Sequence, residues 1–427
     1  MDYVADYPSS ADHAGELPPD LDRLRRESPV SPVRLPDGRT AWLVTRHDDV
    51  RRVLSGAGFT RDLSAAAAAA PAAAAAPAAA AARSAAAAPA AAAARSAAAA
   101  PAAAGTTIRT VNMDGRPHLE LRGLVSKAFT VRQIDGMRPR VQELTDGLLD
   151  SLERDGAPAD LVRHVAAPLP AVVICELLGF PAADHDRLSS WCDRITTVGP
   201  GGLDQSAWRE LGTYVGATVE RKRSELKQGG RPDADVLSTL VRAHDEEGRL
   251  SYEELVSLTI VILAGGLETT QTAISAGVLE LLRHPDQFAR LKEDPELLDP
   301  AVEEILRHQP VIDLNRVQVA TEDVRLGGQL VRAGELVQIS VNAANRDETV
   351  FSGSARFDLA RQPNPHLAFG HGAHHCLGAA LARLEMKTVF SSILRRFPDL
   401  RLAVPAESLH WRGGHVTVGL LELPVAW

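Results

Sequence analysis

Apolar and polar residues follow two rhythms along this chain. From Pro117 to Pro310 the pattern is mainly helical, with stops at Gly156, Gly179-Phe180-Pro181, Gly199-Pro200-Gly201-Gly202 and Gly229-Gly230. Pro117-His118-Leu119-Glu120-Leu121-Arg122 opens an amphipathic helix running to about Phe129, with His118 and Arg122 four apart on one face. Thr130-Val131-Arg132-Gln133 has capping-box spacing and starts another. After Pro310 the rhythm shortens. Residues 315–320, 329–331 and 336–341 read as short strands separated by glycines, and a last β pair runs from about 400 to 425 with its tip at Gly413-Gly414-His415. Near the start, residues 40–45 have strand character and 48–54 a short helix ending at Gly56. The pattern predicts a mainly α fold with a small β region.

The longest helical pattern opens at the capping box Ser251-Tyr252-Glu253-Glu254 and ends near His284, before Pro285. At 1.5 Å per residue it spans roughly 50 Å, enough to cross the molecule. Its middle reads Leu263-Ala264-Gly265-Gly266-Leu267-Glu268-Thr269-Thr270. Two adjacent glycines inside a helix cost on the order of 2 kcal/mol relative to alanine. Something must therefore approach the backbone closely, or the helix must open there. Glu268 and Thr269 place an acid beside a hydroxyl; the plainer reading is a Thr269 back-bond and an ordinary Glu268 ion pair. Asp299-Pro300 predicts the start of the next helix, which carries Glu303-Glu304-Ile305-Leu306-Arg307 and stops at Pro310. Taken alone, Glu304 and Arg307 are a routine i, i+3 pair.

A second concentration of chemistry lies at Phe369-Gly370-His371-Gly372-Ala373-His374-His375-Cys376-Leu377-Gly378. Glycines at this density let the backbone curl around one side chain. The following run is helical, so Cys376 sits near a positive helix end that favours thiolate. Three readings stand on the loop alone: a cofactor-ligating thiolate, an inert cysteine, or a zinc site built from His371, His374, His375 and Cys376.

Composition narrows the classes. Three cysteines in 427 residues (Cys175, Cys192, Cys376) make no disulfide framework and suit a reducing, cytoplasmic setting. A net charge of −9 without a long basic block leaves nucleic-acid binding no electrostatic footprint. The N-terminus has neither a basic nor an apolar signal region, and the longest apolar run, around 258–264, is far short of the roughly 20 residues of a membrane span. Residues 65–104 are nearly all alanine, broken by Pro71, Pro77, Pro89 and Pro101, and the Arg-Ser pairs 83–84 and 95–96 recur within a low-complexity repeat. Proline at this spacing keeps each run below the ~12 residues that an isolated helix needs. The stretch reads as a loosely helical or mobile insertion, or as residues standing in for other natural ones.

Four separated signals then fall in a fixed order: Gly-Gly-Leu-Glu-Thr-Thr in a long helix, Glu304-x-x-Arg307, Asn345-Arg346-Asp347, and Phe-Gly-x-Gly-x-His-x-Cys-x-Gly. Together they closely resemble the cytochrome P450 superfamily of haem-thiolate monooxygenases in its soluble bacterial form, over nearly the whole chain except 65–104. The resemblance implies one domain over residues 1–427, a triangular helical prism around haem b. It implies Cys376 as the thiolate ligand of iron, and Phe369, Gly370, Gly378, Ala264 and Gly265 against the macrocycle. His118, Arg122, Arg316 and His374 become the propionate partners, which moves His374 away from a metal. Glu268 and Thr269 become the acid–alcohol pair that relays protons from a kinked helix. Glu304, Arg307 and Arg361 (or Arg356) become a structural ion-pair cluster beneath the cysteine loop. By position, Val261, Ile312, Asp313, Leu314, His415, Val416 and Thr417 line the pocket, with Trp191 and Ile195 above it. Residues 65–104 fall where the family places a substrate-reading loop, and alanine cannot discriminate ligands there.

The implied activity is insertion of one oxygen atom into a C–H bond (hydroxylation or epoxidation) of a medium-sized, largely apolar secondary metabolite. The alternatives are oxidative coupling on the same fold and a catalytically silent haem-binding protein. No flavin or iron–sulfur module is present in the sequence, so a ferredoxin or flavodoxin system must deliver electrons to what is expected to be a monomer. Lys127, Arg132, Arg383 and Lys387 are the candidate basic patch that meets it.

Overall fold

The computed structural model describes residues 5–6, 18–35, 38–63, 112–199, 202–231, 234–309, 311–312, 317–412 and 417–427. Residues 65–104 and the predicted contacts Asp313, Leu314, Arg316, His415 and Val416 lie outside the described residues.

Ten of the described helices frame the site: α1 (His47–Leu54), α2 (Gly115–Ser126), α3 (Arg138–Asp155), α4 (Pro168–Leu178), α5 (His185–Thr196), α6 (Gln205–Lys227), α7 (Val236–Asp245), α8 (Tyr252–Arg283), α9 (Leu298–His308) and α10 (Ala379–Arg396). Besides the two-stranded pair Val198–Gly199 and Gly202–Leu203, the described strands are β1 (Ala5–Asp6), β2 (Val30–Arg34), β3 (Thr40–Val44), β4 (Phe59–Thr60), β5 (Ala159–Asp160), β6 (Val317–Ala320), β7 (Val324–Leu326), β8 (Gln329–Val331), β9 (Leu336–Ile339), β10 (Arg401–Leu402) and β11 (Pro424–Ala426).

The capping box opening α8 forms as predicted. Ser251 Oγ accepts the Glu254 N–H at 3.1 Å, and the Glu254 carboxylate accepts the Ser251 N–H at 2.8 Å. α8 has the length and composition of a membrane span, with a window of mean hydropathy 1.3, yet 67% of that window is buried inside the protein. It contributes Leu255, Ile260, Leu263, Ile274 and Leu279 to the largest hydrophobic cluster, beside residues of α4, α5, α9 and α10.

Thr130 likewise caps its helix as the pattern predicts, accepting the Gln133 N–H. The next start differs from the sequence pattern. α9 begins at Leu298, so Asp299 lies inside its first turn; the cap falls earlier, where Asp294 accepts the Glu296 N–H at 3.1 Å in the 3-10 turn that runs into α9. Strand β9 ends at Ile339 because Ser340 accepts the Ala343 N–H and caps the short helix Val341–Ala344.

The sheet joins distant segments. Its order is β1-β2-β3-β9-β6-β4, with Val337 of β9 opposite Trp42 in parallel and opposite Gln318 in antiparallel pairing. β7 and β8 form a separate hairpin, and β11 lies between β10 and β5. The chain after Pro310 therefore shares its main sheet with the chain before residue 61.

Candidate active site

Helix α8 is buried on most sides, and its middle opens along one stripe. Val261, Ala264 and Thr269 are half-buried and Gly265 is exposed, while Ile262, Leu263, Leu267 and Glu268 are buried. These positions recur at three and four residues, so they share one face. The two glycines have separate reasons. A methyl group on Gly266 would stand 2.8 Å from Cγ1 and Cδ1 of Ile174 on α4, whereas one on Gly265 would meet no atom within 4 Å. Helical structure continues through both; of the two readings, close approach holds at Gly266, where Ile174 leaves no room for a side chain.

Glu268 is buried beside that face. Its Oε1 accepts the Thr417 hydroxyl at 2.5 Å and lies 3.7 Å from the Arg412 guanidinium. Arg412 also pairs with Asp193 of α5 at 2.8 Å, linking helix α5 to the acid through the C-terminal segment. Ile312 forms a β-bridge with Thr417, which brings this predicted wall residue to the same place. Thr269 donates its hydroxyl to the Gly265 carbonyl at 2.6 Å, the back-bond that a threonine in a helix makes. Trp191 faces elsewhere: its Nε1 donates to Glu210 of α6 at 2.8 Å, and its ring packs on Tyr214 and Arg187. Its N–H is thus satisfied at the α5–α6 interface, as a buried indole requires. Ile195, on the same helix, is buried in the main core.

The cysteine loop is held from several sides. Gly370 and Gly372 both have φ near +73°, and a methyl on Gly372 would press on the Leu54 carbonyl and Ser55 Cα at the end of α1. The Cys376 N–H donates to the Phe369 carbonyl at 2.8 Å, and Gly378 caps α10. Cys376 is exposed, whereas Cys175 and Cys192 are buried. Burial pushes the Cys175 thiol up to about 12 and the Cys192 thiol higher still. Among the described residues no group of three or more His, Cys, Asp or Glu side chains converges to hold a metal ion, so the loop does not gather the alternative zinc set.

Beside the loop, the rings of His118 and His374 stack with centroids 3.9 Å apart. His374 Nε2 contacts Asp114 at 2.7 Å, and Asp114 also accepts the Thr60 hydroxyl and the Arg61 N–H. Burial, then the positive charge of His374 and Arg122, lowers the His118 pKa to about 4. Its Nδ1 is buried with no hydrogen-bond partner among the described residues. Arg122 donates to the His375 carbonyl at 2.6 Å and so braces the loop directly.

Beneath the loop, Glu304 is completely enclosed by donors. Arg307 grips it with two bonds of 2.7 Å, Arg361 Nε reaches both oxygens at 3.0 Å, and Asp358 N–H and Asn364 complete the shell. Arg356 contributes only its carbonyl, as acceptor from Arg307 and Arg361, while its side chain turns out to Asp358. Asn345 ties this cluster to the loop: its carbonyl accepts from Arg307 and its side chain accepts the Leu367 N–H. The basic patch is thinner than its sequence suggests. Arg383 is paired with Glu303 and Lys387 with Asp299, leaving Lys127 and Arg132 exposed.

The comparisons with known proteins decide the family. The profile described as "Cytochrome P450" matches residues 203–403. The nocardicin C N-oxygenase of Nocardia uniformis subsp. tsuyamanensis is 42% identical over 99% of this chain and 98% of its own length. The chain belongs to the cytochrome P450 family. The mycinamicin IV hydroxylase/epoxidase of Micromonospora griseorubida is 38% identical to this P450 over 99% of the chain and 98% of the relative. A solved structure, cytochrome P450mel 107F1 with biaryl coupling reactivity, superposes with a TM-score of 0.84 at 36% identity, covering 100% of both chains. The fold is the mainly helical P450 fold with small sheets.

The family implies a haem held by a cysteine thiolate, and this P450's residues fit one. Cys376 is the exposed thiol, Gly265 leaves open space where a side chain would stand, and His118 Nδ1 is buried without a partner among the described residues. Sequence reasoning missed Asp114, Arg412 and Asp193. Each is a single charged residue in an unremarkable context, and only the fold sets it beside a predicted residue.

Proposed function

We propose that this P450 inserts one oxygen atom of O2 into a C–H bond of a medium-sized, largely apolar secondary metabolite, with water as the other product: R–H + O2 + 2e⁻ + 2H⁺ gives R–OH + H2O. The observation carrying this reading is the buried Glu268 carboxylate, held by Thr417 and Arg412 next to Thr269 on the open stripe of α8. An acid kept beside a hydroxyl at the edge of a mainly apolar face is suited to passing protons inward. Hydroxylase and N-oxygenase relatives from secondary metabolism support the substrate class.

Haem b, bound through Cys376, would supply dioxygen activation, the thiolate pushing electron density toward iron. His118, Arg122, His374 and Arg316 would hold its carboxylates, four donors being enough to neutralise charge that could not otherwise be buried. Glu268 and Thr269 move protons, and Val261, Ala264, Ile312 and Thr417 shape the apolar pocket. Electrons come from a ferredoxin or flavodoxin docking near Lys127 and Arg132, and the protein works in the cytoplasm.

A surrogate ferredoxin–reductase pair with NADPH, run under ¹⁸O2 on compounds that shift the Soret band, tests the proposal. A product carrying one ¹⁸O atom is expected. The biaryl-coupling structural relative supports one other reading. Coupling would give unlabelled product lacking two hydrogens, and no NADPH-dependent product at all would mean a silent haem protein.

A further inference from the structure

Glu303 lies next to Glu304 in α9 but serves a different partner. Arg383 of α10 grips its carboxylate, Nε to Oε1 at 2.6 Å and Nη2 to Oε2 at 2.7 Å. His366 Nε2 adds a third contact at 3.0 Å, while its Nδ1 accepts the Ala368 N–H at 3.2 Å, which fixes the proton on Nε2. Burial alone would raise the Glu303 pKa, but the bonds from Arg383 and His366 bring it down to about 2. The Arg383 guanidinium stands 4.4 Å from the Phe369 ring centroid, within cation–π range. The Phe369 carbonyl in turn accepts the Cys376 N–H. A continuous chain of contacts therefore runs from a carboxylate on α9 to the cysteine.

We propose that Glu303, Arg383 and His366 are positioning residues for the thiolate loop, and that the balance of the Glu303 and Arg383 charges tunes electron donation by Cys376. The proposal rests on Cys376 as the iron ligand. The ion pair is only partly exposed, 30% at Arg383 and 29% at Glu303, so its field is weakly screened. The Arg383 guanidinium sits over the Phe369 ring while its Nε and Nη2 are held by Glu303, so the pair constrains where the ring lies. The same pairing withholds Arg383 from a docking partner.

The test is the midpoint potential of the haem-loaded protein in E303Q, R383Q and the double variant. Glu303→Gln leaves an uncompensated cation near the loop, favours the reduced state and raises the potential. Arg383→Gln leaves an uncompensated anion and lowers it. The double variant returns toward wild type. Shifts of the same sign in both single variants, or no shift in either, overturn the proposal, because simple loosening of the loop moves the potential one way whichever partner is lost. If R383Q fails to fold, Glu303→Gln against Glu303→Asp carries the test: a raised potential restored by the shorter acid supports the proposal, and an unmoved potential in E303Q overturns it. Failure of the ligand assignment is separately visible, since Cys376→Ser would then keep the red-shifted Soret band of the reduced CO complex.

Discussion

At the scale of single residues, Glu304 shows how a weak motif becomes a strong site. An acid three residues before an arginine is worth a few tenths of a kcal/mol on a helix surface. Here both side chains are fully buried, and Arg361 shares the charge. Glu304→Ala strands two guanidinium groups in the interior and should cost about 3–5 kcal/mol, read by urea denaturation. Haem uptake should fall with it, since Asn345 passes the cluster's order to the loop. Cys376 offers a second test. The raised pKa values of Cys175 and Cys192 keep them as thiols at neutral pH, so the haem-free protein should show one fast-reacting thiol with an aromatic disulfide reagent. That reactivity should vanish when haem is bound or when Cys376 is replaced by serine.

At the scale of elements, the two glycines of α8 make opposite predictions. Gly266→Ala drives a methyl group into Ile174 and should destabilise by about 1–3 kcal/mol, an overpacking cost that Ile174→Ala relieves. Gly265→Ala meets open space, so helix propensity should stabilise the haem-free protein by up to about 1 kcal/mol. Haem affinity should fall in the same variant, because the methyl group occupies the open face. Thermal melts of both forms separate the two effects; equal responses at the two positions would mean that neither glycine serves close approach.

At the scale of the whole molecule, charge placement predicts a pH response. The His118 pKa is lowered in the fold to about 4 from an ordinary 6.5. The unfolded chain therefore binds more protons between those values. The stability this group contributes is fully present above pH 6.5 and is lost as pH falls toward 4. Haem carboxylates near His118 would favour its cation and offset the loss, so the haem-free protein should be the more acid-sensitive form. Melting temperatures of both forms across pH 4–7 provide the check.

What the sequence determined by itself is the part written in local contacts and fixed spacings. Helix α8 was legible because its capping box closes within four residues, and the cysteine loop because glycine alone tolerates its positive φ angles. The order of four motifs identified the family for the same reason, each being confined to a short stretch. The parallel pairing of β3 with β9 was not legible, since its hydrogen bonds join strands almost 300 residues apart and neither strand encodes its partner. Asp114 at His374, Arg412 at Glu268 and Glu303 at Arg383 belong with it. A charged residue looks the same in sequence whether solvent or a buried partner faces it. Only the tertiary structure decides which partner it meets, and here it also withdrew Arg383 and Lys387 from the basic patch and turned Trp191 toward α6.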